Sequence, residues 1–580
     1  MILQELCRYY ERKAEAGDMP AEGFEEKAIA YFIEIDKDGK FVRFRDNYQD
    51  EKRKQARIFT VPASVIRSRG VLANLLWDNI EYVLGVAPGG KKTSSEDLRT
   101  KHAAFCTRVS EVAEETQSRD VLAIESFLKK LPKRHMQSDP LWPEIAESTA
   151  NLTFIMQGSR MPICVSAAVR KFVSSLARSS TQGQTGFCLV TGECGPLAKL
   201  HPALKGVRGA QSSGARLVSF NLSAFESYDR EQSFVAPTSE RAAFAYTTAL
   251  NTLLRSGSPN KIYMGDATVV FWSESPTVLE DHFGDIFAPQ AQEEAGKQRQ
   301  IQAIHSLREL LQSPHKGRAV APDRNHFYVL GLAPNAARVA VRFWYSGTVI
   351  ETAQNILQYF NDLEIDGPDW GPPLSLKLLL RATAPLGEED RVHPLLGAGM
   401  FHAILRGGPF PALLQAQVLM RLRVDHKTSD YFEHLRAALL KAATNRLIRS
   451  RKLNYREVAV SMDEANKDQA YLLGRAFAVL EKVQRDAIGQ NINATIRDRY
   501  FGAAATRPGH VFPLLLAHAQ HHISKAEGLG VMRDRLLQQI LANVEAFPRR
   551  FNLNEQGLFM LGYYHQKQAL YKKKEDEGHK

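Results

Sequence analysis

The sequence predicts an α+β fold, and three observations predict it. Short β-branched and aromatic runs joined by tight turns recur as far as Tyr345. Apolar residues at helical spacing separate those runs. From Pro372 onward the strand signals disappear and only helical spacing remains. The expected architecture is a mixed N-terminal and central body with antiparallel hairpins, then a helical connector and a C-terminal helical bundle. A chain of 580 residues exceeds what one hydrophobic core usually serves. The boundaries suggested are 1–160 for an N-terminal α+β region, 161–371 for a central one, 372–460 for the connector and 461–580 for the bundle.

The elements follow in order. Met1 to Ala16 keeps helical spacing until Gly17-Asp18 and Pro20 end it. Ala28 to Ile35 and Phe41 to Arg45 read as a hairpin closed by Asp36-Lys37-Asp38-Gly39. Val71 to Gly85 reads as a helix with Leu72, Leu75, Leu76, Ile80 and Val83 on one side, and Asp97 to Leu131 and Met161 to Arg178 read as helices too. A strand is expected at Leu217 to Asn221, a helix at Glu240 to Leu254, and a hairpin around Gly265-Asp266. Gln290 to Leu311 is a charged helix. His326 to Leu332 and Arg338 to Tyr345 form a second hairpin around Pro334-Asn335, and Val349 to Leu363 is an amphipathic helix.

Charge adds a bias toward anionic partners: 75 Lys and Arg against 64 Asp and Glu give a net charge of +11. The cations cluster in KRKQAR, which contains Lys52, Arg53 and Lys54, in KKLPKRH from Lys129, and in RLIRSRK from Arg446. KRKQAR reads either as a solvated face or as a phosphate contact, KKLPKRH is explained by a helix end, and RLIRSRK is the densest cationic run before the tail. Five cysteines, an odd and small number, suit a reduced cytoplasmic protein. The N-terminus becomes charged before a signal-peptide core can form, and no window holds eighteen consecutive apolar residues, so a soluble chain with no membrane partner is expected.

Catalytic patterns are poorly supported. Gly85 to Lys91 satisfies part of a P-loop, but Lys92 stands where Ser or Thr should hold magnesium. Cys188, Cys194 and His201 lack zinc-ligand spacing. His518, His521 and His522 share a helix face without a suitably spaced carboxylate, Asp425-His426 has no matching histidine cluster, and no GxSxG elbow occurs. The expectation is no enzyme, no metal and no cofactor.

The stretch from Cys188 to Gln232 is what composition alone would not generate. It interleaves a Gly/Ser run with Lys199, Lys205, Arg208 and Arg216, so backbone N–H groups and cations can meet one anion together. Within it, HPALKGVRGAQSSGARLVSFN from His201, with NHFYVLGLAPNAARVAVRFW from Asn325, YLLGRAFAVLEKVQRDA from Tyr471 and NATIRDRYFGAAATRP from Asn493, resembles the Csd-type large subunit of the type I-C CRISPR surveillance complex, Cascade. The resemblance implies a non-catalytic subunit that reads the motif flanking a DNA target, helps open the duplex and stabilises the R-loop. It implies as partners a guide RNA complex with its backbone and guide-end subunits, target double-stranded DNA with its displaced strand, and a separate helicase-nuclease effector. The alternative is a cytoplasmic α+β scaffold with generic nucleic-acid affinity.

Candidate contacts are Lys205, Arg208, Gln211, Ser212, Ser213, Arg216 and Asn221, with Lys52, Arg53, Lys54, Arg497 and Arg499 further along the chain. Gln and Asn can pair with base edges, whereas Lys and Arg mainly neutralise phosphate. Gln55 and Asn74 are equally open, while Ser219, Phe220 and Tyr228, in apolar surroundings, read as structural. The resemblance also implies small-subunit copies translated from within the gene. Met462 offers a start, and Ser461 with Glu464 forms a capping box whose loss would cost about 1 kcal/mol.

Overall fold

The computed structural model describes the chain except residues 50–55, 66, 68–69, 90–92, 180–183, 212, 221, 289–293, 313–323, 369–374, 426–428, 454, 490–493 and 572–580. The fold is α+β, and it packs as two units. The first comprises Met1–Leu204 with Arg216–Thr252, the second Lys205–Ala215 with Leu253–Lys580.

The first unit is built on a four-stranded sheet in the order Phe41–Asp46, Tyr31–Ile35, Asn151–Met156, Trp77–Asn79. The expected hairpin is there. Asp36 accepts hydrogen bonds from the backbone N–H groups of Asp38 and Lys40, which closes the turn. All five residues of Tyr31–Ile35 are buried, because this central strand is covered on both faces. Its other neighbour, Asn151–Met156, runs parallel to it and is not foreshadowed by the local sequence pattern. The connection between them contains the helices Ser95–Thr116 and Arg119–Lys130. Phe105, Phe127 and Phe154 meet in the core beneath.

One expectation fails here. Residues 71–85 are not one helix: Trp77–Asn79 is a strand paired with Asn151–Thr153, followed by the short helix Ile80–Val83. Leu76 takes a positive φ of 63° just before the strand, and the Trp77 indole N–H donates to the Pro62 carbonyl at 2.8 Å. Sheet pairing with a segment more than seventy residues away overrides the local spacing.

The second unit begins with an antiparallel four-stranded sheet in the order Arg338–Thr348, His326–Asn335, Ala267–Ser273, Lys261–Met264. Both hairpins read from the sequence are present. The helices Val278–Phe287 and Val349–Leu363 pack on the sheet and Glu294–Gln312 packs on both helices, while Thr348 caps Val349–Leu363 by accepting from the Glu351 N–H at 3.1 Å. Beyond Leu363 the described residues form helices and connections without strands.

At the end of the unit, Gln469–Ile488 is a central helix: from Ala470 to Glu481 every residue is buried. Leu553–Tyr571 lies against it. A side chain at Gly474 would overlap the Phe559 carbonyl, and one at Gly562 the Tyr471 carbonyl, so the two backbones approach as closely as glycine allows. The expected capping box is absent. Ser461 and Met462 precede the helix, and Asp468 is the cap, accepting from the N–H groups of Ala470 and Tyr471. A cap must immediately precede the first helical residue, and that residue is Gln469.

Candidate nucleic-acid interface

The glycine-rich basic block is divided between the units: Lys205–Ala215 packs with the second, and Arg216 onward returns to the first. In the second unit, the segment Lys205–Ala215 is anchored by buried Val207 and by the Arg208 N–H, which donates to Thr268 Oγ1 at 3.0 Å. Gly206, at φ +88°, lies so near the Leu254 carbonyl that a Cβ would overlap it. This close seat turns the side chains of Lys205, Arg208, Gln211 and Ser213 outward, and all four are exposed. The Arg208 guanidinium lies 5.7 Å from the centre of the Tyr263 ring.

In the first unit, Arg216 is half-buried and its Nε donates to the His201 carbonyl at 3.1 Å. His201 is buried, with Nδ1 hydrogen-bonded to the Tyr246 hydroxyl at 2.6 Å. Burial first, and the Arg216 charge second, pull its pKa down to about 4, so the ring is neutral at pH 7. Leu217 to Phe220 is not the strand expected. No partner strand lies beside it among the described residues, and Val218, Ser219 and Phe220 instead line a cavity of about 280 Å³ with His201, Arg216, Glu231 and Gln232. Tyr228 also departs from its expected structural role. It is 93 % exposed, at the tip of a two-residue turn bridged by Ser227 and Arg230 in which Tyr228 and Asp229 both have positive φ.

The remaining candidates do not join this surface in one group. Lys52, Arg53, Lys54, Gln55, Ser212 and Asn221 lie outside the described residues. Asn74 is buried, its Oδ1 accepting from the Val65 N–H at 3.0 Å, which makes it structural. Arg499 is exposed, but Arg497 is largely enclosed: it pairs with Glu433 at 3.0 Å and lies over the Phe501 and Tyr563 rings. Arg446 and Arg449 of the RLIRSRK run both pair with Asp362. Sequence density of cations could not reveal this, because Asp362 and Glu433 lie far from them along the chain.

Among the described residues no group of three or more His, Cys, Asp or Glu side chains is placed to hold a metal ion. Cys188 is buried and Cys194 exposed. His518 and His521 are exposed on the helix Pro508–Lys525, beside half-buried His522. Asp425 pairs with Arg421 and Arg436, while His426 lies outside the described residues. No helix among the described residues is long and apolar enough to cross a membrane.

Residues 6–571 match the family described as CRISPR-associated protein (Cas_Csd1). The chain belongs to that family, and it is a CRISPR-associated protein. No curated protein matches it.

Proposed function

We propose that this chain is the large subunit of a type I-C Cascade complex. In this reading it is a cytoplasmic, non-catalytic protein that recognises the motif flanking a DNA target, helps open the duplex and stabilises the R-loop until a separate helicase-nuclease is recruited. The observation that carries the reading is family membership over nearly the whole chain. It is supported by the seat of Lys205–Ala215, which holds Lys205, Arg208, Gln211 and Ser213 outward on a closely packed backbone. Base pairing supplies most of the specificity in such systems, so the protein is left to read a short motif and hold backbones. Residues 462–580, started at Met462, also serve as a separate small subunit in this reading.

The test is reconstitution with guide RNA and the other subunits. The complex is expected to bind duplex targets only when the flanking motif is present and only when this chain is included. Motif-dependent binding without the chain would overturn the reading.

A further inference from the structure

A groove of about 1030 Å³ opens beside the edge strand Lys261–Met264, assembled entirely within the second unit. Its walls come from separated stretches of sequence, contributing Arg208, Tyr263 with Asp266, Ala288, Pro334 with Arg342, and the segment from Lys377 to Gly397. Strand alternation buries Ile262 and Met264 and turns Tyr263 outward, where it is 48 % exposed. The floor is apolar, made by Met264, Leu380 and half-buried Val392. The rim is mixed in charge: Arg208, Arg342, Lys377 and Arg381 share it with Asp266, Glu389 and Asp390.

The charges around the ring differ in how firmly they are held. Lys261 Nζ, 5.8 Å from the ring centre, donates to the Leu254 and Arg255 carbonyls at 2.8 and 2.7 Å, so its charge stays beside Tyr263. Arg342 pairs with Asp266 at 2.8 Å and Lys377 with Glu389 at 2.9 Å, but both pairs are about half-exposed or more. Exposed pairs of this kind contribute only about 0–1 kcal/mol, so an incoming phosphate competes with the carboxylates easily. Arg208 has no carboxylate partner within ion-pair distance among the described residues and reaches over the ring from the exposed basic block.

We propose that this groove binds single-stranded nucleic acid, with one unpaired base stacked on Tyr263, neighbouring bases on the apolar floor, and phosphates on Arg208, Arg342 and Lys377. An aromatic platform flanked by cations matches what unpaired strands offer, since every base has a π-face and every linkage a charge. A duplex hides its base faces and leaves the floor without a partner, and a free phosphate makes no use of the ring. The assignment rests on the large-subunit reading and deepens it, because opening a duplex generates the strand that this groove would hold.

The test uses the full-length chain with labelled single-stranded DNA and RNA of about 12 nucleotides, and a duplex of the same sequence, followed by fluorescence polarisation. Tyr263→Ala is expected to weaken single-strand binding about tenfold while duplex binding is unchanged, and Tyr263→Phe is expected to keep wild-type affinity. A fully abasic oligonucleotide of the same length is expected to erase the difference between wild type and Tyr263→Ala. A response confined to DNA assigns the groove to the displaced strand, and one confined to RNA to the guide. Unchanged single-strand affinity in Tyr263→Ala, in a chain that still supports motif-dependent binding by the reconstituted complex, overturns this proposal alone. Failure of the wild-type chain to support that binding overturns the larger reading instead.

Discussion

The block Lys205–Ala215 and the helices from Asp430 to Tyr571 are both rich in cations, and the two use them in opposite ways. In the block, Lys205 and Arg208 point outward from a backbone fixed by Thr268 and Leu254. In the helices, Arg446 is 2 % exposed and shares Asp362 with Arg449, while Arg497 and Lys567 share Glu433. Arg446 also donates to the carbonyls of Ala403 and Gly408, and Lys441 donates to the Asp362 carbonyl. A cationic run in the sequence therefore does not by itself show how its side chains are used: in the helices the carboxylates come from elements far along the chain. There the cations hold helices together.

The comparison is broken or sharpened most strongly at Asp362. Asp362→Ala leaves two arginines beside a buried site without their counter-charge, and removing one partner of such a network costs about 3–5 kcal/mol. The expected outcome is a clear fall in the denaturant midpoint of the second unit, with nucleic-acid affinity retained by the folded fraction. Lys205→Ala with Arg208→Ala is expected to do the reverse: stability within about 0.5 kcal/mol of wild type, and a log–log salt slope for duplex binding reduced by about 0.9 for each phosphate no longer neutralised. If the double variant unfolds the chain, or if Asp362→Ala leaves stability untouched, the division between structural and outward cations fails.

What is legible in the sequence follows the same line between local and distant causes. Glu240–Leu254 and Val349–Leu363 fall where apolar spacing puts them, since an amphipathic helix is specified by its own residues. The hairpin at Gly265-Asp266 is equally local. Trp77–Asn79 resembles part of a helix in sequence because its partner Asn151–Met156 is remote, and the buried surroundings of Gln469–Ile488 depend on Leu553–Tyr571. Among the candidate contacts, Arg208 is legible as a cation in a glycine-rich loop, but Tyr263, more than fifty residues further on, carries no signal of its own. Tyr228 misleads for the opposite reason: its apolar neighbours in sequence do not enclose it, because the turn at Ser227–Arg230 lifts it away.

Each unit also contains a buried neutral histidine, and these sharpen the comparison through pH. His201 in the first unit and His565 in the second are both held at a pKa of about 4, in each case chiefly by burial, with Arg216 and Lys441 as the next contributors. An unfolded histidine titrates near 6.5. Between those values the unfolded chain binds a proton that the folded chain excludes, so each histidine's contribution is fully present above about pH 6.5 and is lost as pH falls toward 4. The expected slope is about 1.4 kcal/mol per pH unit for each histidine well inside the window. Denaturant midpoints measured at about pH 7 and about pH 5.5 check this. His201→Gln is expected to flatten the dependence of the first unit alone, and an unchanged slope in that variant would assign the acid sensitivity to other groups.

The smallest effects concern the start of the central helix, where the distinction between sequence spacing and actual packing becomes a difference of one hydrogen-bonded cap. Asp468 accepts from Ala470 and Tyr471 at 2.9 and 3.1 Å, whereas Ser461 stands outside the helix altogether. Asp468→Ala is therefore expected to cost about 1 kcal/mol and Ser461→Ala to stay within about 0.5 kcal/mol of zero. A product begun at Met462 keeps Asp468, so it retains its cap. It does lack Glu433, and with it the carboxylate that Arg497 and Lys567 share in the full chain. The two cations would then lose their shared carboxylate and be available to an anion, although Arg497 keeps its seat over the Phe501 and Tyr563 rings. Expression of the intact gene with a C-terminal tag tests the start: a short tagged product that disappears on Met462→Leu supports it, and its persistence in that variant places the start elsewhere. In the isolated piece, Arg497→Ala with Lys567→Ala is expected to reduce the salt slope of nucleic-acid binding by about 0.7 for each phosphate released on single strands. In the full chain the same pair is expected to leave that slope unchanged, and equal slopes in both contexts would show that Glu433 does not decide how these cations are used.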